Sequence, residues 1–249
     1  MAYSAFEQFE IIRLIPIHPF GNLDISITNA TVFMALAVGF FYFIYLTNIE
    51  NGLVVPGRWQ SVVELVYETM ISVVKDNMGN EGRQYFPFIF TLFIFLAIMN
   101  LFGIVPYTFT PTSHIVVTFG LSLSIFLGVT LLGLVKHRLD YFSMFMPAGS
   151  PLVLAPFLVI IEFVSHTAKA ISLGVRLAAN ITAGHLLFAI LSGFCFTMLM
   201  AGGIISILSV FPLLIVVFIT ALEMAVALIQ AYVFSLLTTI YINESIHLH

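Results

Sequence analysis

Apolar side chains fill this chain in long blocks, separated by short polar breaks. The first block is 30–47, "ATVFMALAVGFFYFIYLT". It is about long enough to cross a hydrocarbon core of roughly 30 Å. The second runs over 85–106 and the third over 114–135, a helical hairpin within 85–135. Two longer blocks follow, 152–201 and 204–243, joined at "AGGI". The stretch 58–77, "RWQSVVELVYETMISVVKDN", differs in kind. Trp59, Val62, Val63, Val66, Met70 and Val73 or Val74 recur at helical spacing, with Ser61, Glu64, Glu68 and Lys75 opposite. That pattern predicts an amphipathic helix on the membrane surface or against a partner subunit. An N-terminal segment, 1–29, precedes the first span. The expectation is one all-α integral membrane domain over 1–249. It has about five membrane-embedded helices and one amphipathic surface helix.

The length of the fourth block constrains the architecture. Fifty residues of helix would run about 75 Å, more than twice a bilayer. The helix must tilt strongly or break. The pattern predicts that 152–243 forms a long, strongly tilted hairpin, with many side chains at similar depth facing a neighbour.

Composition agrees. The 249 residues are 61% hydrophobic and 8% charged, against roughly a quarter charged in an ordinary soluble domain. The solvent of this chain is a lipid bilayer. A net charge of -4 gives no reason to expect a nucleic-acid partner. Cys195, alone, excludes a disulfide framework and a thiolate metal site, and reads as a small hydrophobe. The first 22 residues lack the basic start and continuous apolar core of a signal peptide. They also lack the Arg-rich, acid-poor character of an imported transit peptide. Either the spans act as insertion signals or a presequence has been removed.

Lysine and arginine set an orientation. The 48–84 and 136–150 loops, on one side, carry Arg58, Lys75, Arg83, Lys136 and Arg138. The 107–113 and 201–204 connections carry none, and the N-terminus only Arg13. This places the N-terminus outside and, after five crossings, the C-terminus inside.

Candidate chemistry lies within the hairpin. Its first helix carries Glu162, His166, Lys169, Arg176, Asn180 and His185. Intervals of 4, 3, 7 and 4 set the first five on one face, with His185 rotated off it. The second helix carries Glu223, Gln230, Tyr241 and Glu244, again on one stripe. Antiparallel pairing about a turn near 202 predicts that His185 meets Glu223 and Arg176 meets Gln230. It also sets Glu162 beside Glu244 at the inner end. Lys169 and His166 read as side chains that snorkel to the inner surface. Carboxylates and imidazoles exchange protons, whereas a guanidinium does not. Two titratable clusters with a permanent cation between them would stop a proton from crossing directly. Arg176 has no acid at its level within the chain, which predicts a carboxylate from another chain.

No nucleotide loop, zinc motif or haem-ligand spacing occurs, and no cofactor is expected. A self-contained transporter would need an internal inverted repeat and an acid for Arg176. Neither is visible. A structural subunit of a respiratory complex would leave the paired stripes unexplained.

The segments "SLGVRLAANITAGHLL", "LEMAVALIQAYVFSLLTTIYINES" and "PLVLAPFLVIIEFVS" resemble subunit a of the F-type ATP synthase, in particular the mitochondrial subunit of fungi. The resemblance covers essentially the whole chain. It implies a non-catalytic, proton-translocating stator subunit of the mitochondrial inner membrane, packed against a ring of c subunits. Arg176 would face the ring carboxylate, and Gln230 would position Arg176. His185 and Glu223, with Asn180 nearby, would line the half-channel from the intermembrane space. Glu162 and Glu244 would line the one toward the matrix. Many fungal relatives carry aspartate where Glu244 stands. The resemblance also implies a peripheral stalk subunit b and small membrane subunits as partners.

Overall fold

The computed structural model describes residues 9–17, 26–50, 57–105, 108–145 and 155–247. The 48–57 turn, the 107–113 and 136–150 connections and the 1–29 segment lie partly outside them. The described elements are β1 (Arg13–Ile15), β2 (Ile27–Thr28), α1 (Asn29–Glu50), α2 (Arg58–Met78), α3 (Phe86–Ile104) and α4 (Ile115–His137). After these come α5 (Ala155–Ala201), α6 (Gly203–Leu208) and α7 (Val210–Ile246). Short 3-10 segments occupy Gly79–Gln84, Pro111–Ser113 and Arg138–Phe145. Among the described residues five stretches are long and apolar enough to cross a membrane: Asn29–Leu46, Phe86–Ile104, Ile115–His137, Pro156–Ala201 and Ile205–Ile246.

β1 and β2, absent from the expected all-helical pattern, form a small antiparallel pair with Arg13 opposite Thr28. Asn29 ties this pair to the start of α1. Its amide nitrogen donates to Glu10 O at 3.0 Å, and its Oδ1 accepts from Ala30 N at 2.9 Å.

The chain divides into two compact units, each cutting across the long helices. One takes in the described residues of Met1–Thr47, Ile94–His114 and Leu177–Ala231. In it α1 packs on α3 through Ala37, Ile98 and Met99, flanked by Met34, Phe41 and Phe102. The buried Asn100 amide donates to Ala227 O at 3.1 Å, and Thr182 Oγ1 donates to Ser113 O at 2.9 Å. Polar contacts of this kind hold helices together in lipid, where hydrophobic driving force between helices is lacking.

The other unit takes in the described residues of Asn48–Phe93, Ile115–Arg176 and Tyr232–His249. Here Ser245 Oγ donates to Val129 O at 3.0 Å, and His137 Nε2 donates to Ile246 O at 2.9 Å. Gly174 of α5 lies against α4: a Cβ there would stand 3.0 Å from Phe119 Cα and Thr118 O. α2 buries Met70, Val73, Val74 and Met78. Tyr67 packs edge-on against Phe86 at 4.9 Å between centroids. Toward its start, the apolar side chains predicted to form one continuous face differ: Trp59 and Val62 are exposed. Only the C-terminal half of that face is covered by this unit.

The hairpin turns at Gly202 and Gly203, whose φ values of 70° and 63° lie in the left-handed region where glycine is unstrained. The second arm is not one straight helix from 204. It breaks at Ser209 between α6 and α7, and Pro212 then sits in the first turn of α7, where its missing N–H is harmless. Cys195, buried on α5, donates to Ser209 O at 3.7 Å and holds the break against the first arm. With 47 residues, α5 spans about 70 Å.

Candidate functional site

In the first unit α5 carries His185 and α7 carries Glu223. His185 Nδ1 lies 3.7 Å from Glu223 Oε1, and both side chains are largely buried. The second ring nitrogen, Nε2, is 3.3 Å from Thr110 Oγ1. The imidazole thus bridges a carboxylate and a hydroxyl. Phe9 sits edge-on to it at 6.1 Å. Gly184, beside His185, makes room for the acid: a Cβ there would come 3.0 Å from Glu223 Oε1.

Two recesses of this unit share Glu223. One, of about 720 Å³, is lined by Phe9, Thr108, Thr110, His185, Thr220 and Glu223. The other, of about 480 Å³, is lined by Asn180, Gly184, Glu223 and Gln230 among apolar side chains. Glu223 therefore stands between a hydroxyl-lined hollow and a face that carries Asn180 and Gln230. A buried carboxylate next to an imidazole can take a proton from one side and give it to the other. Beside the first hollow, His114 stacks on Phe109, and burial pushes its imidazole below the ordinary value.

The second unit holds a recess of about 540 Å³ lined by Ser165, Lys169, Ser172, Arg176, Tyr241 and Glu244. Lys169 Nζ lies 3.3 Å from each Glu244 carboxylate oxygen. Arg176 is exposed on α5 and, among the described residues, makes no hydrogen bond or ion pair. Glu162 is part-buried and does not line this recess. Glu244 forms an ion pair with Lys169. Lys169, expected to snorkel freely, is held by that acid.

Of the seven candidates, His185 and Glu223 meet, Asn180 and Gln230 share a recess with Glu223, and Arg176 shares one with Glu244. The sequence reading missed Thr108, Thr110 and Phe9. The run "YTFTPTSH" carried a signal in its hydroxyls directly after an apolar span, but nothing in its spacing pointed to His185. Lys169 and Tyr241 lay on the predicted polar stripes without being chosen.

Residues 29–243 match the family described as ATP synthase A chain. The chain is 53% identical to ATP synthase subunit a of Metridium senile, each covered over its full length. It is 46% identical to the Chondrus crispus subunit, over 99% of this chain and 97% of that one. To the subunit of the fungus Neurospora crassa it is 47% identical, over 99% of this chain and 95% of the other. With its five apolar spans, its buried carboxylate–imidazole pair and this full-length similarity, the chain belongs to the family of ATP synthase subunit a, a membrane component of that complex's proton-translocating sector.

Proposed function

We propose that the chain is the stationary, non-catalytic subunit that offers two offset half-channels to a rotating ring of c subunits. Arg176 separates them. The observation that carries this reading is an exposed guanidinium on an apolar helix with no counter-ion among the described residues. A permanent charge in lipid is costly to place. A ring carboxylate passing Arg176 would supply the missing anion and be held ionised while it passes.

Protons enter past Thr110 to His185 and Glu223, then reach the ring from the face of Asn180 and Gln230. They leave through the recess of Glu244, with Glu162 further toward the inner surface. The N-terminus lies in the intermembrane space and the C-terminus toward the matrix of the mitochondrion. Peripheral stalk subunit b and small membrane subunits cover other faces. Each proton crossing 100 mV delivers about 2.3 kcal/mol, and a leak past Arg176 would dissipate it. A self-contained transporter would need an acid on Arg176 within the chain, and no observation favours it.

The test is Arg176→Ala in the assembled complex, reconstituted in liposomes. Coupled ATP synthesis is expected to vanish while passive proton leakage persists. Retained ATP-driven pumping would sink the proposal.

A further inference from the structure

Three features stand outside this reading: the Glu81 cluster with Lys136 and His247, Phe9 over His185, and the Lys169–Glu244 pair in the recess of Arg176. The last carries furthest. Glu244 and Arg176 line the same recess, together with Tyr241. An acid and a guanidinium that meet form a bidentate pair, the strongest of the side-chain ion pairs. Among the described residues these two form none. Both oxygens of Glu244 are engaged instead by Lys169 Nζ, at 3.3 Å each. Lys169 sits seven residues before Arg176, two turns along the same face of α5.

We infer that Lys169 is a positioning residue: it holds Glu244 away from Arg176 and so keeps the guanidinium open for a carboxylate from outside the chain. This rests on the proposal that Arg176 must meet a ring carboxylate. A pair of Arg176 with Glu244 would neutralise the barrier charge from within and leave the incoming acid without its partner. Lysine suits the task. It is a compact charge on a flexible stem, which can follow Glu244 as protons pass without forming the rigid fork an arginine offers.

An epistasis experiment tests this in the whole complex reconstituted in liposomes, reading ATP-driven proton pumping. Glu244→Gln slows pumping by removing an inner-path acid. Lys169→Gln slows it further, because the released Glu244 now occupies Arg176. The inference requires that the double variant regain the rate of Glu244→Gln alone, about tenfold above Lys169→Gln. A merely structural Lys169 would give no such rescue, since removing a second side chain does not mend packing. Lys169→Arg, which keeps a charge on Glu244, should pump faster than Lys169→Gln. Should the glutamine variant not assemble, Lys169→Met keeps the apolar stem and serves the same comparison. A double variant no faster than Lys169→Gln, in complexes where Arg176→Ala abolishes pumping, overturns the inference and leaves the proposed function standing. Pumping by Arg176→Ala itself overturns the proposed function instead.

Discussion

Gly184 shows how much at this site depends on a side chain that is absent. Glu223 is buried on α7, and its carboxylate needs space on α5 directly beside His185. A methyl group at Gly184 would stand 3.0 Å from Oε1 and 3.2 Å from Cδ, tighter than ordinary contact. The carboxylate would have to retreat, and its contact with the imidazole would change. We expect Gly184→Ala to slow ATP-driven pumping several-fold while the amount of assembled complex stays near native. An unchanged rate would show that the acid yields without loss of function. The sequence showed the histidine and the acid, yet it could not show that the glycine between them is a spacer.

At the scale of elements, α5 contains glycines of two kinds. Gly174 lies against the α4 backbone at Thr118 and Phe119, whereas Gly193 has nothing within 4 Å of where its Cβ would stand. Small residues let transmembrane helices approach closely. Gly174→Ala should therefore overpack the α4–α5 contact, costing about 1–3 kcal/mol. This would be read as a lower midpoint for thermal dissociation of the purified complex. Gly193→Ala, in an open helix interior, should be neutral or stabilising, because alanine lowers the entropy cost of forming helix. Equal behaviour of the two would refute the packing argument. The same contrast explains why α2 is only half covered. Its periodicity marks one apolar face, but among the described residues it is the later part, Met70, Val73, Val74 and Met78, that is buried.

For the whole molecule, orientation is the property on which the proposed function depends most directly, since the two proposed half-channels would open to opposite sides. The lysine and arginine distribution predicts that the Gly79–Gln84 and Arg138–Phe145 segments lie on one side and the hairpin turn on the other. Single cysteines replacing Asn80 and Asp140, both exposed, should react with an impermeant maleimide from the matrix side. One replacing Ala201 should react only from the intermembrane side. Cys195 is buried and should stay silent in both. Labelling of all three from one side would overturn the topology.

Helices, spans and polar stripes were legible in the chain itself, because burial in lipid demands runs of about 20 apolar residues and makes every ionisable exception conspicuous. The pairing of His185 with Glu223 was legible too, since both lie within about 25 residues of the turn and little register error accumulates over that distance. What only the tertiary structure decided lies farther from the turn or across it. Glu244 pairs with Lys169, a partner that the spacing of the polar stripes did not single out. Thr110 and Phe9 reach His185 from segments distant in sequence, through packing that no periodicity records. Local period and hydrophobicity are properties of the chain alone. Register between helices depends on where each one bends, and that is settled only when the side chains pack.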